Sequence, residues 1–392
     1  MQLLTYASLS ISALVMPLWA EDLGADTTMI GFIGAAYGLA SFASNTVFGR
    51  AGDRVDRRTL LLMGFAAGAL GGLLQYAART PETLLAGRFA FGIAMGMIPP
   101  TLAAYVYDVK RPLGKFTSFN ALGWLFASLI VIVASGAASR DSPGFLSRRL
   151  HDAGGPVPLL FLTAAAFCVL AFLFALRLQP MRLGLKVALF PREIIARNLH
   201  VYLSIFVRHL GAASIWIIYP LYIVELGGDL ALVGWVHVVN MVAQVLVYRN
   251  VESLRRLGTA PSLIAIGLVL SALTFASFAF VENAYQLLPL QAPLGVSFAC
   301  LWLGSMKEVL EHNVERATAT GLLNASMNLS SVAGPLLGGV IAFYVGFRGT
   351  MFFASGVTVV AFLLFLLLRP TVPHLPPDAV FREGGPAGEI AP

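Results

Sequence analysis

The chain has 392 residues, 58% of them hydrophobic and only 12% charged, with a formal net charge of +6. A soluble enzyme of this size would carry about twice that charged fraction, so a water-exposed globular domain is excluded. The basic excess falls in short segments between apolar windows, which points to loops facing the cytoplasm and not to a nucleic-acid surface.

Apolar windows of about 20 residues recur from end to end, each long enough to cross a hydrocarbon core of about 30 Å. A spanning backbone must satisfy its own hydrogen bonds, so these windows are read as helices. Twelve are expected, at 2–21, 28–50, 59–79, 82–107, 115–139, 157–178, 198–225, 230–250, 260–281, 284–307, 316–345 and 347–369. The fold class is an all-α membrane protein. No cleavable signal is expected before the first span. Cys168 and Cys300 both lie in apolar runs and imply no disulfide framework.

Loop charge sets the orientation. With the N-terminus inside, nineteen Lys and Arg fall on the inner side and five on the outer, while Arg88 and Arg208 lie within spans. The positive-inside rule then places both termini in the cytoplasm. The two halves are related by an offset of 203: Pro17-Leu18 matches Pro220-Leu221, Leu23-Gly24 matches Leu226-Gly227, and Gly31 matches Gly234. Two pseudo-symmetric six-helix bundles follow, with a solute site expected between them near the midplane. The expected units are an N-terminal bundle (1–178), a cytoplasmic linker (179–197) broken by Pro180 and Pro191, a C-terminal bundle (198–369) and a disordered tail (370–392). Residues 140–156 form a polar outer loop with a short helix expected near 145–151.

Between spans two and three the chain reads Gly49-Arg-Ala-Gly-Asp53-Arg54-Val-Asp56-Arg57-Arg58. This knot resembles the loop motif of the major facilitator superfamily: Gly, three residues, Asp, Arg, one residue, Gly, then two basic residues. Gly49, Asp53, Arg54, Arg57 and Arg58 fit, and Asp56 stands where the family usually has Gly. Arg88-Phe-Ala-Phe-Gly92, with Gly96 beyond it, is similar to the span-four motif of the drug-exporter branch. The resemblance covers about residues 10–369. It implies that Asp53 faces the start of span eleven, near Thr318, and that the arginines pair with Asp108 at the inner end of span four. That would be a latch between the halves on the cytoplasmic side. The plainer reading is that the knot only fixes topology.

Polar groups at membrane depth are few, and each is a candidate site. Arg88 is read either as a cation of the cavity, with a part in proton coupling, or as an arginine bonded to span-one carbonyls. Arg208 and His209 point about 100° apart on span seven. Arg208 is the leading candidate for a substrate contact, against a side chain snorkelling inward. His237, Asn240 and Gln244 share one face of span eight. Tyr37, Ser41 and Asn45 share one of span two, and Asn120, Asn324 and Asn328 extend polar faces on spans five and eleven. No Asp or Glu lies deep in any span.

The expected function is a secondary active transporter that moves a small solute across the cell membrane by alternating access. The resemblance suggests an exporter of drug-like or amphipathic compounds. An anion transporter using Arg208 and His237 is the alternative, and a non-transporting sensor on the same fold is a third reading. The substrate-binding set is Arg208, His237, Asn240, Arg88, Tyr37, Asn120, Asn324 and Asn328. The gating set is Gly49, Asp53, Arg54, Arg57, Arg58 and Asp108. No P-loop is present, so no ATP is implied. No cofactor or metal is expected, protons are the candidate coupling ion, and the chain is expected to act as a monomer in the bilayer.

Overall fold

A computed structural model describes residues 1–25, 27–137, 156–185, 187–188, 190–228, 230–250 and 259–369. The expected tail, the short helix near 145–151 and residues 251–258 lie outside the described residues. The first half comprises α1 (Gln2–Asp22), α2 (Thr27–Arg54), α3 (Arg57–Ala77), α4 (Pro81–Asp108), α5 (Leu113–Ala137) and α6 (Pro156–Ala175). The second comprises α7 (Arg192–Glu225), α8 (Leu230–Asn250), α9 (Ala260–Phe278), a 3-10 turn (Ala284–Gln286), α10 (Leu287–Glu311) and α11 (Arg316–Leu368).

With 53 residues, α11 is far too long for one crossing. It breaks at Gly346, whose φ of 73° and ψ of 178° only glycine adopts without strain. The two arms are spans eleven and twelve, meeting where the sequence separates 345 from 347. Among the described residues, six helical stretches are each long and apolar enough to cross a membrane. The other five helices, 21 to 34 residues long, pack among them.

In the first half α1 packs on α5 and α6, α3 on α4 and α6, and α2 on α4. In the second, α7 packs on α11, α9 on α10 and α11, and α8 on α10. The halves meet along α2–α11, α4–α11 and α5–α8. One apolar core cluster draws on both, including Phe65, Phe91 and Ile98 from the first and Ile264, Leu301 and Met306 from the second. Small residues permit this packing in lipid. A methyl group at Gly92 would lie 2.7 Å from the Tyr37 carbonyl oxygen, and one at Gly334 would lie 2.9 Å from that of Leu210.

The repeat is visible in the backbone. Gly24 (φ 86°) and Gly227 (φ 79°), one offset of 203 apart, make the same left-handed turn after spans one and seven. The largest departure from the expected boundaries is at α7, while α2 runs four residues past its window, to Arg54 inside the knot. Helix α7 begins at Arg192, six residues before the apolar window, because the Pro191 carbonyl accepts from the Ile195 N–H and starts the helix there. The last residues assigned to the linker are therefore helical.

Candidate functional site

The end of the bundle that carries the arginine knot is held by a circuit of charged side chains. Asp53, in the last turn of α2, is fully buried. Its carboxylate accepts from the Ala317 N–H (3.1 Å), the Thr318 N–H (2.7 Å) and the Thr318 hydroxyl (2.7 Å). Those amides belong to the first turn of α11, where N–H groups lack helical partners and the dipole is positive. Arg57, also fully buried, donates to Asp53 (3.2 Å) and to the Gly52 carbonyl (3.0 Å), and its Nη1 reaches Asp108. The other Asp108 oxygen takes Arg316, whose guanidinium lies 4.7 Å from the Tyr107 ring centroid. The path Thr318–Asp53–Arg57–Asp108–Arg316 thus starts and ends on α11, crossing between the halves twice.

The rest of the knot does other work. Arg54 is exposed, and Arg58 donates to the Leu176 carbonyl at the end of α6 (2.8 Å). Of Arg54, Arg57 and Arg58, only Arg57 enters the circuit, which corrects the expectation for the other two. Asp56 explains how the turn forms without the family's glycine. It N-caps α3 by accepting from Thr59 N–H (2.8 Å), and its other oxygen accepts from Met181 N–H (2.6 Å) in the linker. Partial burial pushes its carboxyl up, but hydrogen bonds from Thr59, Met181 and Arg58 outweigh this and hold it below the usual carboxylate range. The linker also pairs with the knot through Arg57 N–H to Met181 C=O (3.0 Å) and Leu185 N–H to Asp53 C=O (2.9 Å).

From this end α2 and α11 run as an antiparallel seam. Asp53 meets Thr318, and Gly49 lies so close that a methyl group there would sit 2.8 Å from the Ala317 carbonyl oxygen. Further along, Asn328 Nδ2 donates to Ser41 Oγ (2.9 Å), and Gly38 faces Val332. The next pair in this register would be Gly34 with Leu336. A methyl group at Gly34 would meet only Met16 of α1, and Leu336 is 70% exposed. The two helices are zipped at the knot end and have parted at the other.

Other candidate side chains are placed less as expected. Arg88 is 3% exposed; it donates to Ser12 Oγ of α1 (2.8 Å), not to a carbonyl, and lies 4.5 Å from the Tyr37 ring centroid. Ser12 in turn donates to Gln75 (2.8 Å), so Arg88 belongs to the interior of the first half. Arg208 is likewise 3% exposed. Its Nε and Nη2 donate to Ser271 Oγ of α9 (3.1 and 2.9 Å), with Phe275 and Phe298 flanking the guanidinium. It points into the second bundle, which corrects its expected role as a direct solute contact. Its neighbour His209 is the half-exposed one of the two, its ring 5.6 Å from Phe298.

Asn240 is buried and bonded to Gln291 of α10 (3.1 Å) and Gln244 (2.7 Å), so the span-eight stripe packs helices together. His237 is half-buried and sets its ring 5.8 Å from Trp216 of α7. Asn120 accepts from Gln2 within the first half, and Asn324 donates to its own helix at Thr320 (2.8 Å). The face left partly open in the second half is therefore aromatic and imidazole: His209 and Trp216, two turns apart on α7, with His237 on α8 and Phe298 on α10. Phe298 stacks on Trp302 (6.5 Å). Two contributors stand outside the expected site residues. Arg316 entered the sequence reading only as one loop charge among nineteen, and Trp216 only as an aromatic near the polar faces that would suit an anionic or an amphipathic solute alike.

Two helix bundles, a repeated turn and a charged clasp between them define a multi-pass membrane transporter. The chain belongs to the Major Facilitator Superfamily, whose sequence profile matches residues 1–192 and 201–391. It is similar to the multidrug resistance protein MdtG of Salmonella typhimurium, 28% identical over 378 residues that cover 91% of this chain and 90% of the relative. MdtG of Salmonella arizonae matches equally, at 28% over the same coverage. Among solved structures, the fold resembles the human organic anion transporter MFSD10 (TM-score 0.70, 15% identity, covering 93% of this chain and 96% of that one). It also resembles the major facilitator superfamily transporter FucP in its outward conformation (TM-score 0.73, 16% identity, 94% and 97% covered).

Proposed function

We propose that this transporter exports amphipathic, drug-like solutes by rocking its two halves, with the knot end cytoplasmic and closed in the structure described. The uneven α2–α11 seam carries this reading: zipped from Asp53–Thr318 to Gly38–Val332, and parted at the Gly34–Leu336 level. The loop charges support a cytoplasmic knot end and cytoplasmic termini. Export is supported by the curated MdtG relatives. Gly49, Asp53, Arg57, Asp108 and Arg316 act as the inner gate, and a single chain holds both halves and is the functional unit.

The solute is taken against the aromatic face of the second half, with Trp216 and His237 as its contacts and His209 and Phe298 beside them. Arg88 and Arg208 position neighbouring helices from inside each bundle. Tyr37, Asn120, Asn240 and Asn324 serve the same packing role, and Asn328 closes the seam on Ser41. With no carboxylate at membrane depth, the face offers aromatic surface and imidazole nitrogen to neutral or acidic amphiphiles, and no fixed counter-charge to cations.

Purified protein in liposomes should move a neutral amphipathic dye, and Trp216→Ala and His237→Ala should each cut that flux about tenfold. The loss corresponds to about 1.4 kcal/mol of lost contact. Wild-type flux in both variants would remove these two residues from the site.

A further inference from the structure

The second bundle holds a titratable pair at its knot end that the gate and the solute face do not use. His200 of α7 and Glu308 of α10 are both buried, with His200 Nε2 3.6 Å from Glu308 Oε1. That separation is too long for a good hydrogen bond. Both ring nitrogens of His200 and Glu308 Oε2 have no hydrogen-bond partner among the described residues. The Phe365 ring closes over the imidazole at 5.8 Å. Burying a carboxylate with one oxygen unbonded beside a neutral imidazole is expensive. A proton changes that balance, because it makes the two groups an ion pair in a low-dielectric setting.

The pair is wired to the gate by a short turn. Glu308 lies in the last turn of α10, and His312, which caps that helix, lies 3.6 Å from the same carboxylate oxygen. Asn313 exchanges two side-chain hydrogen bonds with Asn198 of α7 (3.1 and 3.0 Å), and Arg197 donates to Asn313 as well (3.3 Å). Arg316 then donates through Nε to the Leu310 carbonyl (3.2 Å) and through Nη1 to Asp108 of the first half. A shift of the α10 end against α7 therefore moves the residue that clasps Asp108.

We propose that His200 and Glu308 together form a proton-binding site, and that its occupancy is passed to the inner gate through the turn from Glu308 to Arg316. With the proton bound, imidazolium and carboxylate attract, α10 is held on α7, and Arg316 stays on Asp108. With the proton lost, the buried carboxylate is left beside a neutral ring and is drawn toward the other charges around it. The attracting ones are His312 on its own helix and Arg369 at the far end of α11; Glu311, itself beside Lys307, repels it, and Arg197 of α7 donates to the His312 carbonyl. Proton loss thus favours an open gate.

This inference rests on the knot end being a gate, so the experiment tests both separately. Probe labels on the knot ends of α4 and α11, in the full chain in lipid nanodiscs, report the closed-to-open ratio from about pH 5.5 to 8.5. The ratio should fall as pH rises, by about tenfold overall and by no more than tenfold per unit for one proton. His200→Gln and Glu308→Gln should each flatten the dependence, while His312→Gln should keep it. If either variant folds poorly, the double variant His200→Leu/Glu308→Leu replaces the pair with apolar bulk, and it too must be flat. A slope that persists in these variants, or none in the wild type, overturns the proton site. Arg316→Ala separates the two claims. If it leaves the ratio unchanged, the gate reading falls. If it opens the gate while His200→Gln keeps the slope, only the proton site falls.

Discussion

Replacing Asp53 with alanine should open the knot end and abolish most transport. The carboxylate answers three donors at the start of α11 and half of the charge on buried Arg57. Removing one partner from a buried ionic cluster costs about 3–5 kcal/mol, because the remaining groups stay desolvated and unpaired. Those donors lie across the interface between halves, so much of this cost falls on the closed state, and even 2.7 kcal/mol shifts a two-state ratio about a hundredfold. Distance labels across α4 and α11 should therefore read mostly open in Asp53→Ala, and dye flux should fall below about a tenth of wild type. Asp53→Asn keeps one acceptor oxygen but brings N–H groups against the Ala317 and Thr318 donors, so it should lie between the two. A closed distribution in Asp53→Ala would mean that the carboxylate fixes topology and nothing more.

Gly321→Val should act by wedging the seam apart. A side chain at this position of α11 would run into the Asn45 carbonyl oxygen and meet Gly49 Cα at 3.0 Å, backbone that cannot step aside. Overpacking of this kind costs about 1–3 kcal/mol where it must be accommodated, and here the open gate accommodates it by separating the helices. Transport should drop at least tenfold, while the protein remains folded and inserted. Gly339→Val is the control, since that position of the same helix faces open space and should transport normally. Equal loss in both variants would point to general damage to α11.

Much of this architecture can be read from the chain. Membrane spans announce themselves by apolar length, and the offset of 203 predicted paired turns that the φ values of Gly24 and Gly227 reproduce. The Asp56 cap was also legible, as an Asp three residues before Thr59 at a helix start, although the family pattern drew attention to the missing glycine. Side-chain direction was not legible. Arg208 and His209 are adjacent, and only the presence of Ser271 and Phe275 on α9 decides that the arginine turns inward. Asn240 reads as a cavity residue until Gln291, 51 positions away, supplies its partner. Arg316 is separated from Asp108 by 208 positions, so no local pattern could join them.

If the clasped end opens and closes in every transport cycle, locking it shut must stop transport. In a chain carrying Cys168→Ala and Cys300→Ala, which removes the two buried native thiols, Gly52→Cys and Ala317→Cys place a pair across the seam. A Cβ at Gly52 would lie 2.8 Å from that of Ala317, below the roughly 3.5–4.5 Å that a disulfide needs, so α2 and α11 must give by about 1 Å to take the link, and the reduced variant must first show dye flux. Oxidation should link the halves at the knot end and stop dye flux in liposomes, and reduction should restore it. Undiminished flux with the cross-link complete would contradict the account, because transport would then proceed with this end permanently shut.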